Sequence, residues 1–165
     1  LIALALACRP ALLIADEPTT ALDVMLQAEV LNLLRQLKRE FGLSLLLVTH
    51  DLGVIAHTAD RVAVMYAGRI VEVAPVRQLF RAPAHPYTQA LLRAMPGATA
   101  SVHRLVPIPG QAPALARRGP GCAFAPRCPW RNEPCDQDTP ELYDVDATQV
   151  SRCFLVKAAA EMARE

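Results

Sequence analysis

The chain has 165 residues, with 17 Lys and Arg against 16 Asp and Glu, for a formal net charge of +1. That balance gives no electrostatic argument for nucleic acid. Hydrophobic residues make up 53% of the chain, yet no uncharged apolar run reaches the ~18 residues of a membrane-spanning helix. Membrane association is therefore expected only through a partner. The chain starts at Leu1 rather than Met, within an apolar run, and we expect a piece of a longer protein. Most of the 14 Pro follow Ala74, which separates an α/β half from a loop-rich tail.

Leu1–Cys8 is predicted as a buried helix ended by Arg9-Pro10; it lacks the basic start and small-residue cleavage site of a signal peptide. Ala11–Ala15 is a short continuous apolar run, the pattern of a strand buried on both faces. Leu26, Val30, Leu34, Leu37 and Phe41 recur at helical spacing, and Gly42 follows as a stop. Ser44–Thr49 reads as a second buried strand, with a short helix through Asp51–Ala59. Strand, helix and strand with short connections form a βαβ unit, so the two strands should be parallel. Arg61–Tyr66 and Arg69–Ala74 are strand candidates around an Ala67-Gly68 turn. Pro75–Arg81 and Pro86–Met95 look helical; beyond Pro96 periodicity is lost.

Chemistry concentrates where the two central strands end. Asp16 and Glu17 lie at the C-terminal end of the first, the edge at which open α/β sheets bind ligands. One carboxylate there can hold the hydration shell of Mg²⁺, and the next can polarise a water for attack on a γ-phosphate. The plain alternative is a solvated loop. His50 ends the second strand and, if the strands are parallel neighbours, shares that edge with Glu17.

LLIADEPTTALD followed by LLLVTHD resembles the Walker B, D-loop and switch-histidine segments of ABC transporter ATPases. The resemblance implies that Asp16 supports Mg²⁺ through water, Glu17 is the catalytic carboxylate, Asp23 belongs to the D-loop facing an opposing subunit, and His50 contacts the γ-phosphate. It implies an α/β fold, the C-terminal part of a P-loop-type ATPase domain with parallel strands, flanking helices and a closing β-hairpin at Arg61–Ala74. A Cys/Pro-rich loop extension follows. The expected division is 1–82 for the partial nucleotide-binding domain and 83–165 for the extension. No Gly is followed by Lys, so the phosphate loop GxxxxGK[ST] is absent, as are the signature Ser-Gly-Gly and the glutamine loop. The expectation is a C-terminal fragment that by itself binds ATP negligibly.

HPYTQALLRAMP, IPGQAP and GCAFAPRCPWRNEPC are similar to segments of the dipeptide, oligopeptide and nickel importer ATPases. Cys122, Cys128, Cys135 and Cys153 are separated by five, six and seventeen residues, gaps that do not fit the paired CxxC spacing common in zinc sites. A [4Fe–4S] cluster, structural Zn²⁺, disulfides and free thiols stay open on spacing alone. Resemblance to subclass members with four such cysteines favours [4Fe–4S], with Zn²⁺ as the alternative, in a structural or redox-sensing role. Arg127, Arg131 and Arg152 are close enough in sequence to offset thiolate charge. Trp130 is read as a cover over the cysteines, and Cys8 as a small hydrophobe packed in its helix. His85 and His103 have no acidic or Cys neighbour in sequence and receive no metal role.

The reading that follows is an ATP-hydrolysing subunit of a di- or oligopeptide ABC importer. The implied partners are a second ATPase subunit (homo- or heterodimer), two transmembrane permeases and, indirectly, a substrate-binding protein, with no nucleic acid. The place is the cytoplasmic face of a bacterial or archaeal plasma membrane. The competing readings are a non-transport ABC ATPase and a vestigial stand-alone metal or iron–sulfur module; HPYT and the cysteine tail weigh against the first.

Overall fold

The computed structural model describes residues 2–95, 107–113 and 119–162, leaving Leu1 and His103 outside the described residues. Two compact units divide at Ala59/Asp60. In the first, α1 (Ile2–Leu6), β1 (Leu12–Asp16), α2 (Val24–Phe41), β2 (Ser44–Val48) and α3 (Leu52–Thr58) follow in order. β1 and β2 pair in parallel, from Leu12 opposite Ser44 to Asp16 opposite Val48.

Helix α2 begins where Asp23 accepts the Leu26 N–H and ends at Gly42, whose φ of 62° only glycine adopts without strain. Leu34 of α2 joins Leu13 and Leu43 in the core, and Ile2, Leu6, Val30 and Leu45 pack around them. Leu31 is buried as well, whereas Leu26 and Phe41, expected on the same stripe, are exposed. Only the middle of α2 meets the short sheet.

Three expectations are corrected in this unit. β1 and β2 are covered on one face, not both: Leu12, Ile14, Leu46 and Val48 are about half exposed, because the described helices pack against the face of Leu13 and Leu45. Helix α1 contributes Ile2 and Leu6, one turn apart, and buries no residue fully. Cys8, beyond the end of that helix, is exposed rather than packed.

The second unit is built on a four-stranded antiparallel sheet in the order β3-β4-β6-β5, with β3 at Arg61–Tyr66, β4 at Arg69–Pro75, β5 at Tyr143–Asp144 and β6 at Val150–Ser151. Alternation places Val62, Val64 and Tyr66 inward. Ala67 and Gly68 both have positive φ, 46° and 73°, the backbone of a tight hairpin turn. Helices α4 (Val76–Arg81) and α5 (Pro86–Arg93) follow, then a 3-10 turn at Ala125–Arg127, α6 (Pro134–Gln137) and α7 (Phe154–Met162). The hairpin, expected to close the nucleotide-binding half, belongs to the second compact unit because β4 also pairs with β6 of the tail: Glu72 faces Ser151 and Val73 faces Val150. The tail thus carries two short strands and a nine-residue helix that periodicity did not reveal.

One buried carboxylate joins these pieces. Glu72, fully buried, accepts the N–H groups of Ala84 and His85 at 2.8 and 2.9 Å and the Gln149 amide at 2.7 Å. Two of those donors lie just before α5; the third comes from the strand entering β6. Gln149 also receives the Gln78 side chain at 2.8 Å and donates to the Ala82 carbonyl at 3.1 Å. Removing the carboxylate orphans three donors, each costing about 1–3 kcal/mol when buried. Glu72→Ala is therefore expected to destabilise the second unit by at least ~3 kcal/mol in urea unfolding, and Glu72→Gln by less; equal losses would count against the hub.

Candidate functional site

The polar edge of the first unit is made by a strained exit from β1. Glu17 still donates its N–H to the Val48 carbonyl at 2.8 Å, extending the parallel pairing by one residue. It then turns with φ of 47°, and Ala21 has φ of 66°, left-handed conformations that cost a non-glycine residue roughly 1–2 kcal/mol. Hydrogen bonds Thr20 N–H to Glu17 O (3.1 Å) and Leu22 N–H to Thr19 O (3.2 Å) hold the turn. Strain of this kind persists where the surroundings impose it, often at functional sites.

The turn brings Glu17 to His50. His50 Nδ1 lies 2.8 Å from Glu17 Oε1, and the Thr20 hydroxyl donates to Oε2 at 2.5 Å. The His50 hydrogen bond, with help from Thr20, lowers the Glu17 pKa below its ordinary 4.5. Reciprocally, Glu17 raises that of His50 above 6.5. Asp16 is exposed one residue earlier, at the same edge. The structure thus brings Glu17 and His50 into contact and leaves Asp16 beside them. Asp23 serves locally as the N-cap of α2, its Oδ1 accepting the Leu26 N–H at 2.9 Å.

Asp51 was missed from sequence. It caps α3 by accepting the N–H groups of Gly53 (2.8 Å) and Val54 (3.2 Å), and it takes the Gln27 amide at 3.3 Å. These bonds fix the chain on the C-terminal side of His50. An Asp directly before an apolar helical run was the signal available.

A carboxylate and a titrating imidazole in contact make a proton-handling pair. The sign of the pair's pH dependence follows from the two shifts. The His50 contribution is present below about 6.5 and lost as pH rises through its raised value; that of Glu17 is present above about 4.5 and lost as pH falls through its lowered value. The contact is therefore strongest between those limits. In an NMR titration His50 should titrate above an ordinary histidine, and Glu17→Gln should return it toward 6.5; an unchanged midpoint would show that the contact does not form in solution.

The second cluster lies in the second unit. All four tail cysteines line one apolar pocket, with His85, Phe124 and Trp130. Cys122 donates its backbone N–H to the Cys135 carbonyl at 2.8 Å, and Cys128 follows the 3-10 turn with its N–H on the Ala125 carbonyl at 3.2 Å. Cys153 follows β6 after one residue, Arg152, whose N–H bonds the Val71 carbonyl at 2.7 Å. Among the described residues, all five cysteines are free thiols. Burial raises the thiol pKa of Cys122, Cys128 and Cys153. Among the described residues, no three His, Cys, Asp or Glu side chains are gathered around one point as ligands of a single ion; the Cys135 thiol donates to Asn132 Oδ1 at 2.7 Å.

Packing explains the HPYT segment. The Tyr66, Tyr87 and Phe124 rings cluster at centroid distances of 4.5, 5.3 and 5.5 Å. His85 is 1% exposed, and burial lowers its pKa to about 4. Its Nδ1 accepts the Tyr87 N–H at 3.0 Å. His85 therefore does have acidic and cysteine neighbours in the fold, through its backbone on Glu72 and its ring at the pocket. Trp130 lines the pocket while remaining 43% exposed.

The arginines are mostly engaged away from the thiols. Arg127 donates to the Pro109 and Ile108 carbonyls and the Tyr66 hydroxyl, and Arg152 to those of Ile70 and Pro140. Arg131 pairs with Asp136 at 2.8 Å and has Cys135 among its electrostatic neighbours.

Comparison with known proteins identifies relatives of the sequence. Residues 71–135 match the family described as oligopeptide/dipeptide transporter, C-terminal region. A Brucella ovis protein named as a peptide import ATP-binding protein is 54% identical over 159 residues, covering 93% of this chain and 47% of the relative. The oligopeptide transport ATP-binding protein AppD of Bacillus subtilis is 50% identical over 155 residues, covering 94% and 47%. The dipeptide transport ATP-binding protein DppD of Haemophilus influenzae is 49% identical over 150 residues, covering 91% and 46%. The chain spans about half the length of the curated relatives it matches. By its sequence and by the segment it matches, the chain belongs to the family of oligopeptide and dipeptide import ATP-binding proteins.

Proposed function

We propose that these residues carry the hydrolytic edge of an ATP-hydrolysing subunit that drives a di- or oligopeptide ABC importer. The observation that carries this reading is the Glu17–His50 contact of 2.8 Å at matching ends of two parallel strands, in a chain whose relatives are named for peptide import and ATP binding. Glu17 orients and polarises the attacking water, and His50 holds Glu17 in place and bonds the γ-phosphate. Asp16 holds the hydration shell of Mg²⁺, which when bound screens the phosphate charge. Asp23 belongs to the loop facing a second ATPase subunit, whose own phosphate loop and signature complete the nucleotide sandwich.

In the intact assembly the subunit works peripherally on the cytoplasmic face of the membrane, on two transmembrane permeases supplied by a substrate-binding protein, with no nucleic acid. No described helix is long and apolar enough to cross a membrane, in keeping with a peripheral place. By resemblance, segments 1–82 and 83–165 correspond to the nucleotide-binding part and the extension, a division that differs from the compact units, which part at Ala59/Asp60. The 165 residues contain no Gly-Lys pair and hence no phosphate-binding loop; by themselves they should bind ATP negligibly. In the intact transporter, Glu17→Gln should lower phosphate release by about 10²–10⁴-fold while ATP binding is retained. Unchanged turnover would overturn the assignment of Glu17.

For the extension, we read the four cysteines as ligands of a [4Fe–4S] cluster, with Zn²⁺ as the alternative. Four free thiols in one apolar pocket suit a thiophilic group. When bound, the group supplies the positive charge that keeps the thiols deprotonated. Anaerobically purified protein should contain iron and acid-labile sulfide, lost in Cys153→Ser; zinc without sulfide would select the alternative, and neither would remove the metal reading.

A further inference from the structure

Among the four thiols of the pocket, one pair is set apart by its backbone. The Cys122 N–H donates directly to the Cys135 carbonyl at 2.8 Å. The neighbouring Gly121 is in such close contact that an added Cβ would meet the Cys135 carbonyl oxygen at 2.3 Å and the Asp136 oxygen at 2.8 Å. A direct backbone N–H···O=C bond keeps the two residues adjacent, at a separation on the order of the 4.4–6.8 Å between Cα atoms that a disulfide spans. Cys128 and Cys153 have other arrangements: the Cys128 N–H is on Ala125, and the Cys153 carbonyl receives Val156 and Lys157 of α7.

We propose that Cys122 and Cys135 are a reversible oxidation site, joining as a disulfide when the pocket holds no metal. Cys122, only partly buried, meets the oxidant first. Hydrogen peroxide oxidises its sulfur to the sulfenic acid and leaves as one water. The Cys135 thiol turns from Asn132, attacks that sulfur and expels a second water as the S–S bond forms. Two thiols lose two electrons and two protons, and one peroxide becomes two waters. A dithiol reductant reverses the step. The disulfide removes two of the four thiolates, so oxidation and metal loading exclude each other at this pocket. The inference concerns the same pocket as the metal reading but rests on the backbone contact, and it holds whether the metal is a cluster, zinc or neither.

Peptide mapping reads the pairing without ambiguity. Trypsin cuts after Arg118, Arg127, Arg131, Arg152 and Lys157, leaving each cysteine on its own peptide: 119–127, 128–131, 132–152 and 153–157. The full-length, chelator-treated protein is exposed to hydrogen peroxide, alkylated and digested, natively and in urea. The expected native product is 119–127 joined to 132–152, exceeding every other pairing, cleaved by dithiol and retained in Cys128→Ser. In urea the product should shift toward 119–127 joined to 128–131, the cysteines nearest in sequence. Cys135→Ser should leave Cys122 as a sulfenic acid that dimedone captures. A dominant native link through Cys128 or Cys153, identical native and urea maps, or thiols that stay reduced natively while oxidising in urea would each overturn the proposal. Metal content, measured on the untreated sample, reports the metal reading separately. Cluster absence with the Cys122–Cys135 link present sinks only the metal; the reverse sinks only the disulfide.

Discussion

A carboxylate taken wholly out of water must be answered by donors, and the donors that answer Glu72 come from separated stretches of chain. Ala84 and His85 bring the start of α5, and Gln149 brings the approach to β6. Without that convergence β6 has little to hold it, since two residues form a strand only when a neighbour supplies the ladder. β6 in turn sets Cys153, and His85 sets a wall of the cysteine pocket. The chemistry of the tail therefore rests on an acid that takes no part in it. The apolar ring cluster around Phe124 adds packing to the same region, but the polar hub specifies which segments meet.

The first unit follows a different logic. There the backbone, not a buried charge, aims the side chains. Parallel pairing puts the ends of β1 and β2 level, and the left-handed turn at Glu17 directs its carboxylate across to His50. The two groups then perturb each other in opposite senses, the acid staying ionised and the imidazole more readily protonated. Thr20 fixes the remaining carboxylate oxygen, so the orientation of Glu17 is determined from two sides.

Much of this was legible where local pattern and tertiary outcome agree. The end of α2 followed from Gly42, and the β3–β4 hairpin from alternation around Ala67-Gly68, whereas the capping role of Asp23 at the start of α2 did not. The meeting of Glu17 and His50, 33 residues apart, followed from the rule that a short βαβ connection makes its strands parallel. Continuous apolar runs show no face, so β1 and β2 read as doubly covered although helices pack on only one side of them. β5 and β6 are too short to show a period, and they exist through partners distant in sequence. Glu72 sits in an apolar strand where a charge suggests an outward face, and its three donors lie 12 to 77 residues away. No local signal announces such a hub. The helix Phe154–Met162 does carry a local signal, since three consecutive alanines flanked by Lys and Glu favour helix, but it lies in a tail whose Pro and Cys content argues for loops.

The uncovered face of the first unit has a material consequence. Leu12, Ile14, Leu46 and Val48 present a contiguous apolar strip to water, at a cost of about 25 cal/mol for each Å² left wet. The outer edges of β1 and β2 have no described strand beside them, and open edges beside apolar surface recruit strands from other chains. For these 165 residues handled by themselves, this strip adds to the exposed apolar surface of Leu4, Val24 and Met25, and a net charge of only +1 supplies little repulsion to keep such surfaces apart.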